Sequence, residues 1–399
     1  MKYVIILGDG MADYPLDELD GKTPLEIANT PRMDRLAREG SGGRLKTVPA
    51  GIKPGSDVAN LSIMGYNPSR GYTGRGPLEA ASLNIHLEDD DIAFRCNLVT
   101  VSDSLMFDYS AGHISSRESG ALINLLEERL GGQGIKFYPG KSYRHILVIK
   151  EQLLEEGQGV MTTTPPHDIT GQPYLSSLPR GRGSQFINDL IAQSRIFLAE
   201  QEINEIRIDL GENPANMIWP WGQGQAPDLE SFTGKYGISG ALISGVDLLP
   251  GIARIIGLDV INVPGATGYF DTDYAGKCEA AIGALDKYDL IYLHVEAPDE
   301  AGHAGNIAEK LKAIERIDED IVGPLIEARK RYPDLRLALL PDHATPIPLR
   351  THVSDPIPFV IWGRGIEADR MESYNENEAR QGRYRTRVGH KFMQLFLNS

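Results

Sequence analysis

Carboxylate and imidazole side chains follow three separate apolar runs in this sequence of 399 residues. The runs cover residues 3–7, 290–295 and 335–340, and the residues that follow them include Asp9, Asp299, His303, Asp342, His343 and His352. Short apolar runs bounded by Gly and Pro are typical of buried strands in a parallel sheet. Such sheets bind ligands at the carboxyl ends of their strands, so these side chains could meet in one place. Mixed oxygen and imidazole ligands suit two divalent metal ions.

Each pair of these residues is a weak signal when taken alone. The spacing Asp299-x-x-x-His303 matches a helical ligand pair, but the proline before it and the glycine inside it predict a loop that enters the next helix. A capped helix start with a solvated histidine is the alternative there. The neighbours Asp342 and His343 can act together only at an irregular strand end. His294 lies inside an apolar run and is expected to be a hydrogen-bonded core histidine. What favours a metal site is that each pair follows a predicted strand.

Ser56 stands between a Gly-rich turn and a predicted helix start. The common role of a serine at this position is to cap the helix. The alternative is a nucleophile at a helix N-terminus, where backbone N–H groups also bind phosphate. A metal ion bound to the hydroxyl oxygen lowers its pKa, so Ser56 suits metal-dependent phosphoryl transfer.

Composition argues against several classes of function. The formal net charge is −15, which argues against nucleic acid binding. The two cysteines provide no disulfide framework, no apolar segment reaches 18 residues, and the N-terminus leads directly into an apolar run. We therefore expect a cytoplasmic protein with no membrane segment and no nucleic acid partner.

The pattern of strands and helices predicts two domains, the second inserted into the first. Apolar runs alternate with helices at both ends of the chain, whereas the middle segment contributes nothing to the acidic ligand pattern. Long helices are predicted over 185–202 and after His303, and a strand over 258–263. The expected fold is α/β, a doubly wound core with an inserted smaller α/β domain. The core domain comprises residues 1–76 and 214–399, and the inserted domain comprises residues 77–213.

Several motifs together resemble those of a known family. The motifs are Gly8-Asp9-Gly10, Pro54-Gly55-Ser56-Asp57, Gly71-Tyr72-Thr73-Gly74-Arg75-Gly76-Pro77, Phe94-Arg95-Cys96-Asn97, Pro264-Gly265-Ala266-Thr267-Gly268, Ala297-Pro298-Asp299-Glu300-Ala301-Gly302-His303 and Pro341-Asp342-His343-Ala344-Thr345-Pro346. Over the whole chain, the sequence resembles the cofactor-independent phosphoglycerate mutases of archaeal type, which belong to the alkaline phosphatase superfamily. The resemblance implies an alkaline-phosphatase-like core, a phosphoserine intermediate and two divalent metal ions (Mn, Mg or Zn).

The resemblance also implies roles for individual residues. One metal ion would be held by Asp299, His303 and His352, and the other by Asp9, Ser56, Asp342 and His343. Ser56 would be the nucleophile, and Lys277 would lie near the transferring phosphoryl group. Residues 77–213 would form the substrate-binding domain. Its candidate substrate-binding residues are Arg95, His113, Arg117, Arg144 and His145, with an ordinary surface charge as the alternative for the arginines and His145.

The sequence departs from this family at one place. Archaeal members typically have Asp-Arg-Arg-Ala-Gly-Arg where this chain has Asp108-Tyr109-Ser110-Ala111-Gly112-His113. Three arginines that would grip carboxylate and phosphate are absent. The expected function is the interconversion of 3-phosphoglycerate and 2-phosphoglycerate in glycolysis, with a small phosphorylated metabolite as the partner molecule. The alternatives are phosphoryl transfer to homoserine in threonine biosynthesis, as proposed for a similar bacterial branch, a metal-dependent phosphatase, and a non-catalytic protein stabilised by metal. Metal identity and oligomeric state stay open.

Overall fold

The computed structural model describes residues 1–154 and 161–399, which form two compact units. The first unit comprises Met1–Tyr72 and Leu229–Ser399, and the second comprises Thr73–Asp228. The second unit is therefore inserted into the first. Its end lies beyond the expected residue 213, because the strand Met217–Gly224 pairs with Asp91–Val101 inside the second unit.

The described residues contain strands and helices that alternate along most of the chain. The strands are β1 (Lys2–Gly8), β2 (Ser41–Lys46), β3 (Asp91–Val101), β4 (Met106–Asp108), β5 (Ile135–Lys141), β6 (Arg144–Lys150), β7 (Met217–Gly224), β8 (Gly240–Ile243), β9 (Asp259–Val260), β10 (Leu290–Val295), β11 (Leu335–Leu340), β12 (Ile357–Gly363) and β13 (Thr386–Val388). The helices are α1 (Pro24–Ile27), α2 (Pro31–Glu39), α3 (Ser56–Ile63), α4 (Pro68–Gly71), α5 (Arg75–Ser82), α6 (Ser116–Leu130), α7 (Ser184–Ala199), α8 (Glu202–Asp209), α9 (Phe232–Tyr236), α10 (Leu248–Ile255), α11 (Tyr274–Ala284), α12 (Ala297–Ala304), α13 (Ile307–Ile317), α14 (Gly323–Ala328) and α15 (Phe392–Asn398).

The first unit is built on an eight-stranded sheet in the order β13-β2-β12-β11-β1-β10-β8-β9. The three apolar runs form β1, β10 and β11, and β1 lies between the other two and parallel to both. Leu7 is opposite His294 on one side and Leu340 on the other, so the three strands end level with one another. The segments that follow them therefore leave the sheet at the same edge.

Helices cover both faces of this sheet, which explains the continuous apolar runs. Val4 and Ile6 pack on one face in a core that includes residues of α2, α11, α13 and α14. On the other face, Tyr292 donates a hydrogen bond to Asn60 of α3, and Tyr3 stacks edge-on against Phe396 of α15. The prediction of a doubly wound α/β core is confirmed.

The second unit has its own sheet and its own apolar core. Four of its five strands follow the order β4-β3-β6-β5, and the fifth strand, β7, also pairs with β3. All of these pairs are antiparallel. Trp219 is fully buried there, among residues of β3, α6 and α7.

Three expected elements differ in extent. The helix expected over 185–202 is divided into α7 and α8, and the helix after His303 changes to a π-helical turn at Asp318–Val322 before α14. The strand expected over 258–263 is formed only at Asp259–Val260. None of the helices in residues 1–154 and 161–399 combines the length and apolar composition that a bilayer-spanning helix requires.

Lys310 of α13 should be essential for stability, because it joins the segments that follow β1 and β11. Its fully buried ammonium group lies 2.6 Å from Asp13 Oδ2 and donates to the carbonyl oxygens of Ala12 and Thr345. Lys310→Met leaves the buried carboxylate without its cation, which should cost about 3–5 kcal/mol of unfolding free energy. Urea denaturation of the full chain measures this loss. Lys312→Met, at an exposed side chain of the same helix, is the matched control. Equal urea midpoints for the two variants would contradict the prediction.

Candidate functional site

Three buried aspartates lie where β1, β10 and β11 end. Asp9 follows β1, Asp342 follows β11, and Asp299 lies on α12 after β10. Each is at most 3% exposed. Burial, followed by the negative charge of Asp342, raises the pKa of Asp9 well above its usual range. Burying carboxylates without a compensating charge is unfavourable, so a positive charge bound at this edge of the sheet would stabilise the structure.

One group of candidate metal ligands consists of Asp9, Asp342 and His343, whose ligand atoms lie within 4.8 Å of one another. His343 Nε2 is 3.5 Å from Asp9 Oδ1 and 3.4 Å from Asp342 Oδ2. Ser56 Oγ approaches the same nitrogen at 3.2 Å. The four side chains expected to share one metal ion therefore lie together.

A second group consists of Asp299, His343 and His352. His303 joins it, because its Nε2 lies 3.1 Å from Asp299 Oδ2 and 2.8 Å from His352 Nε2. Burial pushes the pKa of Asp299 upward, but hydrogen bonds from His303 and His352 hold it well below its usual value. The three residues expected to share the other metal ion are thus also adjacent.

The loop expected at Asp299 and His303 is instead a helix, α12, and that expectation was wrong. Pro298 lies in the first turn, where its missing N–H is not needed. Gly302 lets the helix approach the segment after β11, because a Cβ atom there would lie 2.5 Å from Thr345 O. The two candidate ligands, Asp299 and His303, therefore project from one helix face at a spacing of four residues.

Ser56 is the first residue of α3, and its side chain does not cap the helix. Gly55 occupies the N-cap position without a side-chain hydrogen bond. The Ser56 hydroxyl is therefore available to face His343. Asn60, one turn later, donates to Ser56 O at 2.8 Å and to Asp342 Oδ2 at 2.9 Å, and it accepts from Tyr292.

His294 is a hydrogen-bonded buried histidine, but it also belongs to the site. Its Nε2 lies 2.8 Å from Asp9 Oδ2 and 3.6 Å from Glu296 Oε2, and the three residues form a third group of suitable ligand atoms. Lys277 lies beside this group, because its buried Nζ donates to His294 O at 3.2 Å. Burial lowers the pKa of Lys277 to about 8, against the opposing effect of Glu296.

The residues at this edge fit divalent metal ions. Asp9 Oδ1 and Glu296 Oε2 are buried and have no hydrogen-bond partner among the described residues. Buried carboxylate oxygens without partners are rare, and each needs an explanation such as a bound ion. Aspartate oxygens and imidazole nitrogens at these separations are ligands that Mn, Mg and Zn accept to different degrees.

Thr345 connects the two principal groups, and the sequence alone did not single it out. Its hydroxyl contacts Asp299 Oδ1 and lies 3.3 Å from His343 Nδ1. An ionised carboxylate can only accept, so the hydroxyl donates to Asp299 and accepts from His343 Nδ1–H. The unprotonated Nε2 of His343 then faces Asp9, Asp342 and Ser56.

Two of the candidate substrate-binding residues of the second unit are buried. Arg95 pairs with Glu79 at 2.9 Å and lies over the ring of Trp221. His145 Nδ1 accepts from Gly140 N at 3.0 Å, and burial lowers the pKa of His145 to about 3. His145 is thus a neutral side chain held by the fold.

The other three candidates are more accessible. Arg144 is half-buried with its guanidinium 5.7 Å from the ring centre of Tyr143, and exposed His113 packs edge-on against the same ring. Arg117 is exposed on α6. The structure therefore brings Arg144 and His113 to one aromatic side chain.

Comparisons with known proteins identify the family of this chain. A family model described as 2,3-bisphosphoglycerate-independent phosphoglycerate mutase matches residues 37–204. A Methanothermobacter thermautotrophicus protein named 2,3-bisphosphoglycerate-independent phosphoglycerate mutase 2 is 51% identical over 100% of this chain and 98% of its own length. A protein of Methanothrix thermoacetophila with the same family name is 50% identical over 100% of both chains.

Solved structures show the same fold. A Pyrococcus horikoshii protein superimposes with a TM-score of 0.84 at 28% identity, covering 100% of this chain and 96% of the other. The cofactor-independent phosphoglycerate mutase of Thermoplasma acidophilum superimposes with a TM-score of 0.67 at 26% identity, covering 100% and 99%. The chain belongs to the family of 2,3-bisphosphoglycerate-independent phosphoglycerate mutases.

Proposed function

We propose that this enzyme interconverts 3-phosphoglycerate and 2-phosphoglycerate in the cytoplasm, as a step of glycolysis, through a phosphoserine at Ser56. The observation that carries the proposal is the 3.2 Å approach of Ser56 Oγ to His343 Nε2, beside two buried aspartates. The names of relatives about 50% identical over the whole chain support the same reaction.

Two divalent metal ions, Mn, Mg or Zn, complete the proposed site. Asp299, His303 and His352 would hold one ion, and Asp9, Ser56, Asp342 and His343 would hold the other. When bound, such ions supply positive charge that favours the serine alkoxide and offsets charge on the phosphoryl oxygens.

The chain's own residues orient and polarise the nucleophile. Ser56 and Asp57 begin α3, so their backbone N–H groups would face an anion beside Ser56, whereas the N–H of Val58 already donates to Asp57 Oδ1 at 2.8 Å. Asn60 fixes the backbone of Ser56 relative to Asp342 through its two hydrogen bonds. Lys277, which donates to His294 O, contributes a buried positive charge close enough to Glu296 to interact with it. In this proposal Lys277 favours the dianionic phosphoryl group.

The second unit would bind the organic part of the substrate. Arg144 and His113 at the Tyr143 ring are the best-placed candidates, and Arg95, Arg117 and His145 complete the proposed set. Arg95 already shares Glu79 with Arg75, so less of its charge is available to a ligand.

Phosphoryl transfer to homoserine is the second candidate, and the segment Asp108–His113 favours it. The backbone N–H and the hydroxyl of Ser110 both donate to Asp108 Oδ1, each at 2.7 Å. Tyr109 packs against the rings of Tyr143 and His167. The side chains of Tyr109 and Ser110 are uncharged and supply no guanidinium fork for a substrate that carries both carboxylate and phosphate.

Ser56→Ala should abolish turnover while the melting temperature stays unchanged, because the side chain is not a helix cap. Residual activity should be far below a tenth of the wild type, which corresponds to a barrier increase well above ~1.4 kcal/mol. Ser69→Ala, at an exposed serine of α4, is the control that retains activity. A Ser56→Ala variant with more than about a tenth of wild-type activity would rule out the phosphoserine route.

Thr345→Val should weaken metal binding, because it removes the hydroxyl that holds both Asp299 and His343 while preserving side-chain shape. The expected loss of Mn²⁺ affinity is roughly 10–100-fold. Isothermal titration of chelator-treated protein measures it directly, without reference to activity. Thr345→Ser keeps the hydroxyl and should restore the affinity. Equal Mn²⁺ dissociation constants for wild type and Thr345→Val would show that the hydroxyl does not position the ligands.

The substrate is settled by assaying the manganese-loaded full chain with each candidate. Phosphorus NMR should show interconversion of 3- and 2-phosphoglycerate, and this signal should vanish in Ser56→Ala. Homoserine with a phosphoryl donor should yield no product. Phosphohomoserine without any phosphoglycerate interconversion would replace the mutase by the kinase-like alternative.

A further inference from the structure

A cavity lies in the first unit, at the opposite ends of the strands from the aspartate cluster. It measures about 650 Å³, and its lining includes Tyr3 at the start of β1 and Ile238 just before β8. Asp9 follows the other end of β1, so six residues of extended strand, roughly 20 Å, separate the two places. The cavity is therefore distinct from the proposed active site.

Positive charge dominates this cavity. The cations Arg70, Lys235 and Lys391 line it together with His390, and no acidic side chain does so among the described residues. This is unexpected in a chain with a formal net charge of −15. Neutral donors from asparagine and glutamine side chains complete the polar part of the lining, and two tyrosines provide aromatic surface.

The positive charges are close enough to influence one another. Burial lowers the pKa of His390, and Lys391, Lys235 and Arg70 lower it further. Burial and the charge of Lys391 likewise lower the pKa of Lys235, against the opposing effect of Glu230. Mutual repulsion of this kind destabilises the folded unit unless an anion relieves it.

Only one of these cations has an evident structural role. Lys235 Nζ donates to Gly65 O at 2.7 Å, just after the C-terminal end of α3, and lies over the ring of Tyr66. Arg70 and Lys391 are exposed, and neither makes an ion pair within the described part of the chain. Two exposed cations that line the cavity are thus available to a ligand.

We propose that this cavity binds a small anion carrying a phosphate group. A guanidinium fork and an ammonium group match phosphate oxygens in geometry and charge. The volume falls within the range of small-molecule sites, so a phosphorylated metabolite fits better than a bare monatomic ion. The proposal does not depend on the reaction at Ser56.

Equilibrium dialysis with labelled inorganic phosphate, on the metal-loaded full chain, tests the proposal. Phosphate at the active site is common to all variants, so the difference in stoichiometry reports the cavity alone. Arg70→Ser with Lys391→Ser should bind one phosphate fewer per chain than the wild type. Lys22→Ser with Arg129→Ser removes the same charges at exposed positions outside the cavity and should bind as many as the wild type.

The affinity of this site for phosphate should fall as the salt concentration rises, because the interaction is electrostatic. Matching melting temperatures and turnover in the three proteins establish that each is folded. If the double variant is unstable, Arg70→Gln alone should still weaken the additional site. Equal phosphate stoichiometry in wild type and cavity variant, or an equal loss in the charge-matched control, would overturn the proposal.

Discussion

The burial of three carboxylates at one edge of a parallel sheet is the constraint on which the rest of this structure depends. Asp9, Asp299 and Asp342 repel one another where water cannot screen them. Polar groups of the chain interact with part of each carboxylate. Histidines bind Asp299, and His294 lies within hydrogen-bond distance of Asp9. Asn60 and a backbone N–H group donate to Asp342. Asp9 Oδ1 has no hydrogen-bond partner among the residues that the structure describes. The unmet charge therefore lies where Ser56 and His343 also point, and a cation placed there would stabilise fold and site together.

The fold brings these charges together through strand register and close backbone approach. Because β1 is the middle strand of three parallel strands that end level, Asp9 lies at the same edge of the sheet as the residues that follow β10 and β11. Gly10 makes the approach possible, since it has a φ of +57° and a Cβ atom there would collide with the Asp299 carboxylate. Lys310 then joins the segments after β1 and β11, because its ammonium group donates hydrogen bonds to a carbonyl oxygen of each. The geometry of the site thus depends on strands that are almost entirely buried, with β10 and β11 buried along their whole length.

Much of this was predictable because it depends on patterns that the sequence displays. Apolar runs bounded by glycine and proline identified the central strands, and the rule on strand ends placed the aspartates and histidines. The residues that orient them were not predictable, because Asn60 and Thr345 are ordinary polar residues whose partners are distant in sequence. The helical state of α12 was missed for a similar reason, since Gly302 is explained only by its contact with the segment after β11. The end of the inserted unit depended on a strand pairing that periodicity cannot show.

The position of His343 makes the two ligand groups interdependent. It belongs to both of them, and its ring nitrogens have different neighbours: Nδ1 faces Thr345, whereas Nε2 faces Ser56 and the aspartates. A single hydroxyl proton therefore sets the orientation of Asp299 in one group and the tautomer of His343 in the other. Since the Thr345 hydroxyl can donate only once, losing the negative charge of Asp299 would also release the constraint on His343. A change in the charge of Asp299 in one group would therefore also affect His343, which belongs to both groups.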